Sequence, residues 1–305
     1  MTKQRLIDLL AMSRFANLPT VWSNAILGLL VASGLTGTVS FQTAALLITG
    51  LSCLYLGGCF FNDWQDVDFD TKHRPDRPIP SGRWSRKTIG LFALILIIGG
   101  LSLIWLASPA AHLFALGIVV CILLYTKWHK THVISLIFMA GARMLIYPAC
   151  AFAPLTIAEL QAFNPVKLPV LILFSLALAS YILGISLTAR FESRKDSPEK
   201  TPIVPLISLS LPAFLVSGFL LLLGHPIAAI VPLIIFLAVL IPTVKRLQRT
   251  GDIGTFVSYT LAAIPLVDGL FVMRDGIASG NIFLIVICPV LALLAFGLQK
   301  VAPAT

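Results

Sequence analysis

The chain reads Asn62-Asp63-Trp64-Gln65-Asp66-Val67-Asp68-Phe69-Asp70 directly after a long apolar run, so four carboxylates fall within nine residues. Ionised side chains beside a bilayer are costly and neighbouring like charges repel one another, so such a cluster requires cations. A bound divalent metal ion whose other ligand is a polyanion, such as a diphosphate, meets that requirement. The stretch therefore predicts an enzyme that acts on a lipid-like diphosphate.

The remainder of the chain has the composition of a membrane protein. Of its 305 residues 58% are hydrophobic and 11% are charged, whereas about a quarter of the residues in a soluble domain are charged. Ten apolar runs are long enough to cross a bilayer as helices. They lie at 17–34, 41–61, 88–107, 111–126, 133–152, 168–187, 203–223, 227–244, 255–273 and 281–299. We expect an all-α, polytopic transmembrane helical bundle of nine or ten spans, built as a single domain over residues 1–305.

Positive charge distinguishes the two sides of the membrane. The N-terminus, alternate loops and the C-terminal end hold 19 of the 22 Lys and Arg residues. Such loops face the cytoplasm, so we expect an integral multi-pass protein of a bacterial inner membrane with its acidic loop in the cytoplasm. The net charge of +9 follows from this bias and not from a basic soluble domain, so nucleic acid is not an expected partner. Residues 3–15 are predicted to form an amphipathic helix on the membrane surface.

Two long loops, 62–87 and 188–202, carry related acidic groups. Positions 126 residues apart correspond: Asp63, Asp66 and Asp70 match Ala189, Glu192 and Asp196. Four predicted spans separate the loops, so both face the same side of the membrane. The sequence therefore predicts two pseudo-repeated halves around a central cavity.

On a helix, Asn62, Asp66 and Asp70 stand at i, i+4 and i+8 and share one face, with Asp63 at its edge. Oxygen ligands in this arrangement suit magnesium, and a second ion has its own candidates, four residues apart, in the second loop. The predicted ligands of Mg²⁺ are Asn62, Asp66, Asp70, Glu192 and Asp196. We expect none of the five histidines to be a metal ligand, because their spacing has no common pattern.

Basic side chains accompany both acidic groups and are candidates to bind the diphosphate directly. They are Lys72, Arg74, Arg77 and Arg190. For each of them an ordinary positive-inside role is the alternative. Within the fifth span, Arg143 costs about 2.5 to 3.5 kcal/mol at a helix centre, so we expect it to face the cavity or a carboxylate. Tyr147 lies one turn onward on the same face, whereas Asp268 in the ninth span has no evident role.

The run Asn62-Asp63-x-x-Asp66-x-x-x-Asp70, followed by Arg77-Pro78-Ile79-Pro80-Ser81-Gly82, resembles the first signature of the UbiA-type intramembrane prenyltransferases. The resemblance extends over essentially the whole chain, and it implies that Asn62, Asp66 and Asp70 hold magnesium and an isoprenyl diphosphate with the support of Asp63. Tyr125 with Lys127 or Lys130 resembles the Tyr and Lys pair of that family. The second acidic motif departs from the family pattern at Ala189 and Glu192, which leaves the acceptor open.

We therefore expect magnesium-dependent transfer of an isoprenyl group to a small acceptor, either aromatic or polar and hydroxylated, within the lipid bilayer. Asp66, Asp70, Glu192 and Asp196 are the predicted catalytic residues, and Glu192 or Asp196 is the candidate to accept the proton of the acceptor. Two alternatives stay open. A transporter or flippase would use the acids as an ion site, although these acids lie in loops and not at the membrane midplane. A catalytically weakened family member would bind the diphosphate without turning it over.

Overall fold

The computed structural model describes residues 3–164, 168–192 and 203–301, and all regular structure within these ranges is helical. A short 3-10 turn, Phe15–Asn17, joins the first two helices. The helices are α1 Lys3–Met12, α2 Leu18–Leu35, α3 Phe41–Gln65, α4 Val67–His73, α5 Arg86–Ala107, α6 Pro109–Trp128, α7 Ser135–Met144, α8 Ile146–Ala151, α9 Ile157–Gln161, α10 Pro169–Glu192, α11 Ile203–Leu222, α12 Pro226–Thr250, α13 Ile253–Ala262, α14 Ile264–Ser279 and α15 Ile282–Val301. The prediction of an all-α polytopic bundle is confirmed.

In the described part of the chain, nine segments are long and apolar enough to cross a membrane. The predicted fifth span instead consists of two short helices, α7 and α8, which together run from Ser135 to Ala151. Pro148 explains the interruption, because it has no N–H to donate to the carbonyl of Met144, where α7 ends. The apolar run is therefore present as expected, but it is broken near its middle.

The segment that contains α13 and α14 lies at the centre of the bundle. Its most apolar window is 89% buried, whereas that of α5 is 22% buried and presents leucine and isoleucine side chains outward. Asp268 lies on α14 and has no exposed surface. An ionisable side chain therefore lies in the most deeply buried of the nine described spanning segments.

Close packing of α3 against α5 fixes the helix that carries the acidic stretch. A Cβ atom added at Gly100 would lie 2.7 Å from the carbonyl oxygen of Gly50, so no larger residue fits between these backbones. Small residues permit such close approach of membrane helices. The same device joins α10 to α11, where a Cβ at Gly184 would lie 2.9 Å from the carbonyl oxygen of Pro205.

The predicted amphipathic helix is present as α1, and it packs on the loop that follows the acidic stretch. The Arg83 guanidinium donates through Nε and Nη2 to the two carboxylate oxygens of Asp8, at 2.8 and 3.3 Å. Met12 packs with Phe60 and Ile79 in a small apolar core. These contacts hold α1 against the C-terminal end of α3 and the loop after α4, so α1 is packed on the bundle and is not an isolated surface helix.

We predict that Gly100→Ala destabilises the protein whereas Gly99→Ala does not. The methyl group at position 100 meets backbone, and overpacking of this kind costs about 1 to 3 kcal/mol. A Cβ at Gly99 meets nothing within 4 Å, so alanine there is expected to stabilise the helix by up to about 1 kcal/mol. Thermal unfolding of both variants in detergent tests the prediction, and equal midpoints would contradict the proposed helix contact.

Candidate functional site

The acidic stretch lies at the junction between α3 and α4. The predicted single helix is interrupted at Asp66, whose ψ of −2° departs from the helical value of about −42°. Helical hydrogen bonds nevertheless continue across the junction, from Asp66 N to Asn62 O at 2.9 Å and from Asp70 N to Asp66 O at 2.8 Å. The shared face predicted for these three residues therefore survives the break.

Three of the four aspartates are buried. Asp63, Asp66 and Asp70 expose 8%, 5% and 3% of their surface, whereas the Asp68 side chain is 83% exposed and lies 3.5 Å from Arg86. A buried carboxylate requires a cation or several hydrogen bonds. The burial therefore separates three candidate functional acids from one surface acid.

Arg77 joins two of the buried carboxylates. Its Nη1 lies 2.9 Å from Asp70 Oδ2 and 3.5 Å from Asp63 Oδ1. Directly after Arg77 the chain turns at Pro78 and Pro80, and this turn ends at Gly82, whose φ of +76° favours glycine. Arg77, for which the sequence predicted a role in diphosphate binding, thus pairs with acids of the first loop, and that role stays a prediction.

Arg14 also binds Asp63, which the sequence did not predict. Its Nη2 donates to Asp63 Oδ1 at 3.3 Å, and its Nη1 lies within 3.5 Å of the carbonyl oxygens of Met12 and Cys59. Among the described residues, Arg14 alone combines a side chain with a positive φ, 48°. Burial by itself would lower the pKa of this guanidinium, but the adjacent Asp63 raises it above its usual range. The left-handed backbone and the pairing together direct a permanent cation into the site.

Asp66 is paired from the other side, by residues that follow α6. His129 Nε2 and Lys130 Nζ each lie 3.1 Å from Asp66 Oδ2. Burial raises the pKa of the Asp66 carboxyl, but the hydrogen bond and charge of His129, together with Lys130, lower it below its usual value. Asp66 is therefore held as the carboxylate.

The positions of Lys127 and Lys130 differ, although the sequence did not show which of them pairs with Tyr125. Lys130 contacts Asp66, whereas Lys127 Nζ lies 5.8 Å from the ring of Trp128. Tyr125 stacks on His129 with 5.1 Å between ring centroids, so it lines the site indirectly. His129 also lies in the site, which no motif in the sequence indicated, because only the fold brings it to Asp66.

The other predicted basic residues take two different positions. Lys72 and Arg74 are exposed at and after the end of α4. Arg190, in the last turn of α10, donates from Nη1 to the carbonyl oxygen of His132 at 3.2 Å. Because His132 follows Lys130 closely, the end of α10 lies beside the loop that binds Asp66. Both acidic loops therefore begin at the same end of the bundle, as their spacing predicted.

The proposed acids of the second loop fall largely outside the described structure. Glu192 is the last residue of α10, and its side chain lies outside the described part, as does the whole of Asp196. Ala189, at the position that departs from the family pattern, packs against the main apolar core. The roles predicted for Glu192 and Asp196 stay predictions.

A second polar group lies inside the membrane-spanning region. Arg143 Nη1 donates to Asn24 Oδ1 at 3.3 Å, and Asn24 Nδ2 donates to Asp268 Oδ2 at 2.8 Å. The Tyr147 hydroxyl donates to Asp268 Oδ1. Arg143, which we expected to face the cavity or a carboxylate, reaches a carboxylate only through Asn24. That carboxylate belongs to Asp268, for which the sequence indicated no role.

The side-chain amide of Asn62 indicates whether the site in the first acidic loop can bind a divalent metal ion. Its Oδ1 is buried and accepts no hydrogen bond in the described structure, while its Nδ2 donates to Asp66 Oδ2 at 3.2 Å. An unpaired amide oxygen next to a carboxylate matches the oxygen ligands that magnesium prefers. Over the described ranges, no three His, Cys, Asp or Glu side chains form a metal-binding group. The donors fit an ion that takes its other ligands from phosphate and water.

The sequence profile of the UbiA prenyltransferase family matches residues 19–203. A protoheme IX farnesyltransferase from Oceanobacillus iheyensis is 36% identical over 111 residues, which are 34% of this chain and 35% of that protein. A digeranylgeranylglyceryl phosphate synthase from Thermococcus gammatolerans is 35% identical over 100 residues, 33% of this chain and 36% of that protein. A protoheme IX farnesyltransferase from Rhodopseudomonas palustris is 30% identical over 179 residues, 55% and 53% of the two chains. The chain thus spans about a third to a half of the length of these relatives.

Two solved structures have a similar fold. One, reported for digeranylgeranylglyceryl phosphate synthase in membranes, has a TM-score of 0.55 at 18% identity and covers 96% of this chain and 99% of its own. The other, an apo UbiA homologue from Aeropyrum pernix K1, has a TM-score of 0.50 at 12% identity and covers 98% and 100%. At such identities the likeness establishes the shared helical architecture.

We predict that Arg77→Gln destabilises the protein far more than Arg86→Gln. The first change leaves the buried Asp70 carboxylate without its cation, and breaking a buried pair costs up to about 3 to 5 kcal/mol. Arg86 faces the exposed Asp68, and an exposed pair contributes about 1 kcal/mol or less. Denaturation of the two variants in detergent at neutral pH measures the difference. Similar losses of stability would show that the site is not organised around Arg77.

Proposed function

This chain belongs to the UbiA prenyltransferase family, and from that membership we propose that it transfers an isoprenyl group from an isoprenyl diphosphate to a small acceptor within the membrane. The observation that carries the proposal is the burial of the three signature aspartates next to cations contributed by separate segments. Such a set of opposite charges is suited to a ligand that is itself a polyanion with bound metal.

The diphosphate is proposed to bind among the cations that now pair with the aspartates. Arg77 and Lys130 each reach a buried carboxylate and also stand at the edge of the site, with side chains 26% and 37% exposed. A guanidinium that exchanges a carboxylate for a phosphate keeps a charge-assisted hydrogen bond throughout. Arg190 is placed to approach the same region from the end of α10, and Lys72 and Arg74 are proposed to attract the anion from solution.

Asn62, Asp66 and Asp70 are proposed to hold Mg²⁺, with Glu192 and Asp196 as ligands of a second ion and Asp63 supporting the first group. When bound, magnesium would neutralise charge on the departing diphosphate oxygens. The protein side of this site is already close to charge balance, because the aspartates are paired with arginine and lysine. Metal ion and diphosphate are therefore expected to bind together, each supplying the charge that the other needs.

In the proposed reaction the bond between C1 of the prenyl chain and the diphosphate oxygen breaks, and its electron pair leaves with diphosphate. Arg77 and Lys130 stabilise the negative charge that develops on that oxygen. The allylic cation is captured by the acceptor, whose proton passes to Glu192 or Asp196. The apolar helices keep water away from the cation until capture occurs.

We propose that the complete reaction takes place in one domain, with the active-site loops on the cytoplasmic side of a cell membrane. The excess of Lys and Arg in the loops at this end of the bundle supports this orientation. The ends of α3, α6 and α10 meet at one end of the bundle, through Asp66 with His129 and through Arg190 with His132.

We predict that Asp66→Ala and Asp70→Ala each lower prenyl transfer at least about 100-fold. Each variant removes a carboxylate that is proposed to hold Mg²⁺, and this ion would stabilise the negative charge on the departing diphosphate. Asp68→Ala is the matched control, since Asp68 lies on α4 together with Asp70 but has an exposed side chain. Incubation of purified protein with isoprenyl diphosphates of several lengths and a cell extract, followed by mass spectrometry of lipid-soluble products, measures transfer. Wild-type product yields in both variants would refute the assignment.

We also predict that excess EDTA stops transfer and that added Mg²⁺ restores it. Because protein cations already balance the aspartates, chelation should leave the unfolding midpoint within about 2 °C of its original value. Activity that persists in EDTA would exclude the metal role. A large fall in the midpoint would instead show that the ion is a structural component.

A further inference from the structure

Three basic side chains lie together at the C-terminal end of α12, here called the α12 basic cluster. Its members are Lys245, Arg246 and Arg249, and all three are exposed. Because α11 runs away from the acidic site and α12 returns, this cluster lies at the end of the bundle that carries the acidic stretch. Like charges three or four residues apart repel one another on a helix, so the cluster needs a source of negative charge.

The described part of the chain supplies little of that negative charge. Asp252 Oδ2 lies 3.9 Å from Arg246 Nη2, and Arg246 also approaches the ring of Tyr259, with 5.8 Å between the guanidinium carbon and the ring centre. Within the described ranges, neither Lys245 nor Arg249 has a carboxylate at ion-pair distance. The cluster therefore holds Arg246 in place and presents two uncompensated cations.

A partly open cavity of about 410 Å³ adjoins the cluster. The residues that line it are Ile241, Pro242, Lys245, Arg246, Arg249 and Thr250.

An apolar stripe on α12 leads to this cavity from within the membrane. Ile234, Ala238 and Ile241 stand at i, i+4 and i+7, and the two isoleucines expose 59% and 47% of their surface. Lys245 follows four residues after Ile241 on the same face. The surface thus combines an apolar track with positive charge at its end, where the helix leaves the membrane.

This combination selects one class of occupant. An anionic phospholipid carries its phosphate directly above its acyl chains, and basic pockets at the cytoplasmic side of membrane helices bind such headgroups. A soluble anion would gain nothing from the apolar stripe. A zwitterionic lipid would bring its own positive group to cations that already lack a partner.

We propose that the end of α12 binds one anionic phospholipid, with the phosphate at Lys245 and Arg249 and an acyl chain along Ile234 and Ile241. Arg246 borders the headgroup and is positioned by its contacts with α13. The site shares no residue with the proposed diphosphate site, so it does not rest on the proposed function.

Titration of the purified protein in detergent with two lipids tests this proposal. Phosphatidylglycerol and phosphatidylcholine with the same acyl chains are the probes, and native mass spectrometry measures the bound lipid. We expect the wild type to bind one phosphatidylglycerol at least about tenfold more tightly than phosphatidylcholine. Combined Lys245→Gln and Arg249→Gln should weaken phosphatidylglycerol binding at least about fivefold. Equal affinities for the two lipids, or unchanged binding in this variant, would overturn the proposal.

A matched control distinguishes a built site from the general positive charge of this membrane side. Combined Arg86→Gln and Lys87→Gln also removes two exposed basic side chains, at the start of α5 on the same side of the bundle. This control should keep the preference for phosphatidylglycerol, and an equal loss there would contradict a specific site.

A further variant keeps both cations and interrupts only the apolar stripe. Ile241→Asn should weaken phosphatidylglycerol binding at least about threefold, because it places a polar amide beside the acyl chain. Unchanged affinity in this variant would contradict the placement of that chain.

Two competitors identify the source of the phosphate. Glycerol 3-phosphate carries the phosphate without acyl chains, and geranylgeranyl diphosphate carries an isoprenyl chain. We expect neither to displace phosphatidylglycerol at about tenfold excess, since each lacks one part of the matched headgroup and chain. Displacement by glycerol 3-phosphate would assign the cavity to a soluble phosphate, and displacement by the diphosphate would assign it to the isoprenyl substrate. Either result would overturn the phospholipid site.

Discussion

Burial of three carboxylates at the mouth of a membrane helix is the constraint on which the rest of the site depends. Each of them needs a cation, and the cations come from parts of the chain that are distant in sequence: Arg14 precedes α2, Arg77 follows α4, and Lys130 follows α6. Since an unpaired buried charge is strongly destabilising, these pairs fix how the N-terminal segment, the first loop and the end of α6 meet. The acidic residues that define the site also assemble it.

The same pairing explains how a site of this kind can be both stable and reactive. Asp63, Asp66 and Asp70 are matched by Arg14, Arg77 and Lys130, so three carboxylates face three permanent cations before any ligand arrives. A metal ion alone would add excess positive charge, and a diphosphate alone would add excess negative charge. In the proposed function they bind together, which would preserve the balance and free the arginine and lysine to contact phosphate. The close packing of α3 on α5 would keep the carboxylates in place during this proposed exchange.

Local patterns in the sequence predicted much of this arrangement. Long apolar runs predict membrane helices because backbone groups in lipid must bond within the segment, and the four-residue spacing of Asn62, Asp66 and Asp70 predicts a shared face. Both predictions depend on neighbours along the chain. The interruption between α7 and α8 could also have been predicted from the sequence, since Pro148 removes a helical hydrogen bond.

The contacts that local patterns could not reveal are those between distant segments. Arg14 and His129 carry no motif, and only the folded chain brings them to Asp63 and Asp66. Asp268 had no evident role because its partners, Asn24 and Tyr147, lie 244 and 121 residues away. The left-handed backbone of Arg14 is likewise a consequence of tertiary packing, because an arginine gives no local signal for that conformation.

In the proposed site, a metal ion at the buried aspartates holds the diphosphate directly. Electron–nuclear double resonance on protein loaded with Mn²⁺ in place of Mg²⁺, and with an isoprenyl diphosphate whose bridging oxygen is replaced by sulfur, measures this contact. We expect a hyperfine coupling between manganese and phosphorus in the wild type that disappears in Asp66→Ala. Bound manganese without phosphorus coupling, or the same coupling in the variant, would contradict it.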